Sequence, residues 1–362
     1  TPKETRQLGE TDLDTATALV TARFVTGDES LANDCINDAR EWWRKRGRDS
    51  LRDLHARVLE RHATAGEVAF LLEPNLKEGL GGLRDIHALQ WAVMAGLDLS
   101  ADDRRQLELC NEVLLGARVA LHRHTARASE ILRLEDQSPV AVLARYASDD
   151  ALMAAIAEVG RKVAWIADEA WAQLDPPADR SPIPQLLAPG VQLINGEIHI
   201  AEGVDIAEDP TLLLRVATAA ARAGVRINRS SLDRLGDASP VWPDPWPAGA
   251  SDDLVALLLE GQAAIPVLEA LDQRNLLVRV MSKHLENATN THYDELLNKL
   301  WERCMTLAPD PERKRLLAKL MMQEVEHGVI TANILKGLGV EKVEFPIEQY
   351  LFHLSLDTWC DL

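Results

Sequence analysis

The segment Glu73-Pro-Asn-Leu-Lys77-Glu78-Gly79-Leu-Gly81-Gly82-Leu-Arg84-Asp85-Ile-His87 sets the strongest limit on how this chain can fold. Pro74, Gly79, Gly81 and Gly82 forbid a continuous helix through it. Apolar residues at helical spacing run up to the segment from one side. On the other side they resume at Leu83, Ile86, Leu89, Gln90 and Val93. The chain must therefore turn here and start a new helix, so the first half is expected to be helices packed around a glycine-hinged junction rather than one long rod.

The flanks support this. Leu13, Ala16, Leu19, Val20 and Phe24 fall on one helical face, with Asp12 placed to cap it and Gly27 to end it. Further helices are expected over about Leu31 to Arg46 and Asp49 to His62, each with one apolar stripe. Long helices are expected over roughly Ala101 to Leu134 and Asp149 to Leu174. Composition agrees. Aromatic residues make up only 4% of the chain, so its core must be built from Leu, Val, Ile and Ala, which favours helices over β-sandwiches.

Five prolines between Asp175 and Pro189 read as a stiff linker. In Val191-Gln-Leu-Ile-Asn195-Gly196-Glu-Ile-His-Ile200, an Asn-Gly pair between alternating apolar segments predicts a β-hairpin with a type I′ turn. Helix returns from Asp209-Pro210 to Ala223, with Asp209 as cap and Pro210 at the first helical position. It is broken again by the proline-rich run Ser239 to Pro247, and helices follow over about Ser251 to Glu260 and Ala264 to Gln273. The expected fold is mainly α with a small β-hairpin.

Several functions are disfavoured at this level. With 39 basic and 57 acidic residues the net charge is −18, which argues against general affinity for nucleic acid or an anionic membrane surface. No apolar run approaches the roughly 20 residues needed to span a bilayer. The cysteines, Cys35, Cys110, Cys304 and Cys360, form no Cys-x-x-Cys pair, so a reduced cytoplasmic setting is expected, without a disulfide framework or a zinc site. His122 and His124 lie two residues apart, on different faces of a helix, and are not expected to share a metal. A start at Thr1 without Met is the pattern of a processed or truncated product.

The glycine segment leaves two chemical readings open. A glycine-hinged loop entering a helix can offer unpaired N–H groups and the positive dipole end to an anion, with Lys77 and Arg84 reaching phosphate oxygens. Alternatively the glycines permit a tight turn and close helix packing, while Arg84 and Asp85 pair with neighbouring charges. The segment is neither a Walker loop nor a dinucleotide fingerprint.

The run Lys77 to Asp85 is preceded by Leu19-Val-Thr-Ala-Arg23-Phe-Val-Thr-Gly27-Asp28 and followed by Leu121-His122, Gln137-Ser-Pro-Val-Ala141 and Leu152-Met153. Together these resemble the GlnD-type family of bifunctional uridylyltransferase and uridylyl-removing enzymes acting on the PII nitrogen-signal protein, from Thr1 to about Val280. The resemblance implies a helical domain that follows a nucleotidyltransferase domain and precedes an HD-type phosphohydrolase domain and glutamine-sensing ACT domains. It implies Mg²⁺-dependent transfer of UMP from UTP to PII, with UTP and PII as partners and Lys77, Arg84 and Arg23 as nucleotide-binding candidates. The chain has no Gly-Ser turn followed by Asp-x-Asp to hold Mg²⁺, and no His-Asp dipeptide for an HD centre. No catalytic residue is therefore assigned, and the chain is expected to be inactive alone. A non-catalytic module docking on a nucleotidyltransferase is the alternative.

After Met281 the sequence changes character. Glu324-Val-Glu-His327 puts a carboxylate and an imidazole at i, i+3, as di-iron helical bundles require. The text through Leu362 resembles the ferritin-like oxygenase subunit of the phenylacetyl-CoA epoxidase family. That resemblance implies a partial ferritin-like hairpin and half an iron site, with Glu295 as a further ligand candidate beside Glu324 and His327. The expected division is a helical domain at 1–175, a linker with hairpin and helices at 176–280, and this partial segment at 281–362. Val280 and Met281 would then mark a join of two truncated reading frames.

Overall fold

A computed structural model of the chain describes residues 2–174, 181–238 and 247–276. The expectations for 281–362, including Glu295, Glu324 and His327, lie outside the described residues. The chain divides into two compact units at residues 176 and 177.

The first unit is all helix and loop: α1 (Pro2–Thr11), α2 (Leu13–Val20), α3 (Glu29–Arg46), α4 (Arg48–Ala65), α5 (Leu83–Met94), α6 (Ala101–Thr125), α7 (Leu134–Ala144) and α8 (Asp149–Trp171). Asp12 does cap α2, its carboxylate accepting the Thr15 N–H at 2.9 Å. Ser100 and Ser148 cap α6 and α8 in the same way. Between Leu83 and Met94 the buried stripe runs through Leu83, Ile86, Leu89 and Ala92. Gln90, expected on that face, is exposed. Burying one such Leu contributes about 1.5–3 kcal/mol relative to leaving it in water. Trp43 anchors α3 to α5, its indole N–H donating to the Trp91 carbonyl at 2.8 Å.

One local expectation needs correction, and two helices form where none was expected. The helix begun at Ala101 ends at Thr125, where Ala126 turns left-handed at φ +53°. A separate helix, α7, follows despite Pro139 in its interior. The polar segment Pro2–Thr11, which carries no apolar stripe, forms α1.

The second unit holds a three-stranded antiparallel sheet of β1 (Gln185–Ala188), β2 (Val191–Ile194) and β3 (Glu197–Ile200), in that order. The turn between β2 and β3 is Asn195 and Gly196, both at positive φ (+53° and +79°), as a type I′ hairpin requires. The register sets Val191 opposite Ile200 and Ile194 opposite Glu197. Strand β1 falls within the run expected to be a stiff linker; it pairs with β2 through an irregular register between Leu186 and Ala188.

The sheet's buried residues Val191, Ile198 and Ile200 join one core with residues of α9 (Leu212–Ala223), α10 (Arg229–Ala238), α11 (Ala250–Leu258) and α12 (Ile265–Asp272). Helix α9 starts three residues later than Asp209. That carboxylate instead accepts from Thr211 Oγ1 at 2.8 Å and from the Arg215 guanidinium. Among the described residues no single helix is long and apolar enough to cross a membrane.

Candidate functional site

The loop between α4 and α5 is closed by its own backbone. The Asn75 side-chain oxygen accepts the N–H groups of Lys77 at 3.1 Å and Glu78 at 2.9 Å, a local turn that asparagine favours. Leu76 N–H donates to the Glu130 carbonyl, and Leu132 N–H to the Pro74 carbonyl, which pins the loop to the segment after α6. Val68 N–H and Leu80 N–H close the other side on Leu80 and Gly66 carbonyls.

This arrangement overturns the backbone part of the anion-loop reading. At the start of α5, Leu83 N–H donates to Leu76 O at 3.1 Å, Arg84 N–H to Lys77 O at 2.9 Å and Asp85 N–H to Gly82 O at 3.0 Å. The orphan donors a helix ordinarily presents at its N-terminus are already satisfied. Any anion met here must be met by side chains.

Gly81 sits at φ +82°, and a Cβ built on it would overlap the Gly160 carbonyl oxygen and lie 2.8 Å from that carbonyl carbon. Helix α8 thus packs directly onto the loop backbone, which only glycine at position 81 allows. The Gly81 N–H donates to Asp85 Oδ2 at 2.7 Å. The Asp85 side chain is fully buried, and its Oδ1 receives the Arg61 guanidinium and His62 Nε2, the latter at 2.9 Å. A buried carboxylate is tolerable only with such partners. The sequence reading paired Asp85 with neighbouring charges but did not name Arg61 or His62. Their signal was two donors ending the polar run of α4, 23 and 24 residues upstream of the aspartate.

Above this frame the charged side chains alternate in sign. Arg84 Nε lies 3.5 Å from Glu78 Oε1. Lys77 Nζ lies 3.2 Å from the same Glu78 oxygen and 3.6 Å from Glu130 Oε1. Arg118, from α6, grips Glu130 with both Nε and Nη2, at 2.5 and 2.6 Å. That bond, aided by Lys77, holds the Glu130 carboxyl below the usual carboxylate range. His87 lies one turn beyond Arg84; burial first, and then Arg84, Arg118, Lys77 and Arg61, push its imidazole pKa below the ordinary value.

The structure thus brings together Lys77 and Arg84 through Glu78. Arg23 is exposed on the segment after α2, and no hydrogen bond or ion pair among the described residues joins it to them. Arg118 and Glu130 escaped the sequence reading because both fell inside one helix expected to run to Leu134. The actual end at Thr125 lets Glu130 fold back against α6.

His122 and His124 point to separate partners, Ser129 O at 2.9 Å and Asp136 Oδ1 at 3.3 Å. Among the described residues no cluster of three or more His, Cys, Asp or Glu side chains is placed to hold a metal ion. The structure assigns the Mg²⁺ implied by the family resemblance no site among the described residues.

Residues 49–171, which hold the closed loop, the buried aspartate and the charged row, match the family model of the GlnD PII-uridylyltransferase. Over this helical region the chain belongs to that family. Among relatives, the bifunctional uridylyltransferase/uridylyl-removing enzyme of Streptomyces coelicolor is 34% identical over 304 residues, covering 78% of this chain and 36% of its own length. The enzyme of the same description from Mycobacterium tuberculosis (strain CDC 1551 / Oshkosh) is 30% identical, with coverage of 78% and 36%. That of Corynebacterium glutamicum is 30% identical, with 76% and 40%. The chain thus spans well under half the length of these relatives and corresponds to a part of such an enzyme. No solved structure matches it.

Proposed function

We propose that this chain supplies the helical, non-catalytic part of a PII uridylyltransferase, in which UMP passes from UTP to the PII protein in the cytoplasm. Its role is to hold a rigid cationic edge toward the nucleotide, with Lys77, Arg84 and Arg23 facing phosphate. The observation that carries this reading is the locked loop: Asp85, Gly81 and Gly160 fix the backbone, so Lys77 and Arg84 project from an immobile frame. Fixed cations are what phosphoryl and nucleotidyl transfer need from a supporting domain, since positioning and charge stabilisation carry most of that catalysis. We take the functional divisions to be 1–175 for the helical domain and 176–280 for the hairpin unit.

The test is direct. The 362-residue chain, mixed with UTP, Mg²⁺ and a PII protein, is expected to leave PII at its unmodified mass. Stoichiometric gain of a uridylyl group by PII would refute the non-catalytic assignment.

A further inference from the structure

The alternating row Arg84–Glu78–Lys77–Glu130–Arg118 carries three cations and two carboxylates, drawn from the loop, α5, α6 and the segment after α6. We infer that it is a binding site for a polyphosphate chain, anchored by Arg118, in which the Glu130 carboxylate is a built-in occupant that the ligand displaces. This rests on the nucleotide-facing reading above but assigns the ligand chemistry and an anchor that reading lacks.

The geometry supports the exchange. Arg118 holds Glu130 through two parallel N–H donors, the same fork that Arg presents to phosphate oxygens. Lys77 is shared between both carboxylates, so each anionic group in the row bridges two cations. A linear polyphosphate repeats negative groups along its length and can bridge the same cations with more charge than two carboxylates. The backbone need not move, because the Glu130 carbonyl stays bonded to Leu76 N–H while its side chain swings out.

The row is also reachable. Its side chains keep between 21% and 37% of their surface, enough to admit a ligand and too little to be independently solvated. In a chain of net charge −18, a half-buried row with one surplus cation is the place where an anion is drawn in rather than repelled. The carboxylates explain how the three cations stay together when no ligand is present: they screen a repulsion that would otherwise splay the side chains.

Isothermal titration of the full chain with inorganic triphosphate, UTP and orthophosphate tests this. Triphosphate and UTP are expected to bind with similar affinity, and orthophosphate at least about tenfold more weakly, since it spans fewer cations. Arg118→Lys, which keeps the charge and loses the fork, is expected to weaken triphosphate about tenfold. Glu130→Gln, which removes the competing carboxylate, is expected to tighten it by a few fold. That gain would not follow from a merely structural role for Glu130, and it is read whether or not Arg118→Lys folds. Binding of neither triphosphate nor UTP would overturn the proposal. So would binding of UTP alone, which would mean the nucleoside is read instead of the phosphates, or a loss of affinity in Glu130→Gln. Uridylylation of PII by the chain alone would refute the non-catalytic role and leave this binding result untouched.

Discussion

Replacing Gly81 by alanine perturbs the junction at its tightest point. Two effects add. A non-glycine residue at φ +82° costs about 1–2 kcal/mol in backbone strain. The new methyl group would also sit 2.8 Å from the Gly160 carbonyl carbon and 3.0 Å from its Cα, so α8 must be pushed off the loop. Overpacking of that kind costs about 1–3 kcal/mol. The expected loss is therefore about 2–5 kcal/mol, a large share of the roughly 5–15 kcal/mol that holds a domain folded. Gly27→Ala is the control, because Gly27 also has positive φ (+109°) but nothing lies within 4 Å of a built Cβ. It should show only the strain part, about 1–2 kcal/mol. Urea unfolding followed by tryptophan fluorescence reports on this unit, where Trp43 is buried and bonded to the Trp91 carbonyl. Equal losses in the two variants would refute the idea that close contact between α8 and the loop dictates glycine at 81.

Other perturbations have equally definite outcomes. Asp85→Asn leaves Arg61 and His62 facing a neutral amide in a buried site, and should cost about 3–5 kcal/mol by the same urea assay. His87 is held below its ordinary imidazole pKa by burial and by Arg84, Arg118, Lys77 and Arg61. In the window between its folded and unfolded values the unfolded chain therefore binds the extra proton, and stability falls as pH falls. Unfolding of the wild type and His87→Gln from about pH 7.5 to about pH 5 should show the wild type losing more. Glu67, whose carboxyl burial raises, has the opposite slope and is common to both proteins. The buried Cys110 thiol is pushed up to about 11 by burial, so brief maleimide treatment with peptide mapping should label Cys35 and leave Cys110 unmodified in the folded chain.

What could be read in advance follows from how local each feature is. The helices at Leu13, Glu29, Arg48 and Leu83 announced themselves by apolar spacing and, at α2, by a capping aspartate three residues from the amide it binds. The hairpin announced itself by Asn195-Gly196, whose backbone preference is local too. Features that depend on distant residues were not legible. Strand β1 exists because β2 offers it a pairing edge, and prolines around it argued the other way. Helix α7, with Pro139 in its interior, was not expected either, because one helix was expected to run from Ala101 on to Leu134.

The candidate site divides along the same line. Lys77 and Arg84 stand in the motif itself. The carboxylate that ties Arg118 into their row, Glu130, lies far outside that motif in the segment after α6, brought back by the early end of that helix. The glycines suggested a phosphate cradle as readily as a tight junction, because composition cannot say which carbonyls will reach the first N–H groups of α5.

Those N–H groups distinguish a loop closed in advance from a backbone that waits for an anion. Site-resolved amide hydrogen exchange on the full chain, with and without inorganic triphosphate, reports whether the loop is closed before any anion arrives. The amides of Gly81, Leu83 and Arg84, each bonded within the protein, are expected to be protected without triphosphate and to change little when it is added. Rapid exchange without triphosphate, with protection appearing only on its addition, would make the backbone itself the anion site and refute a loop closed by its own hydrogen bonds.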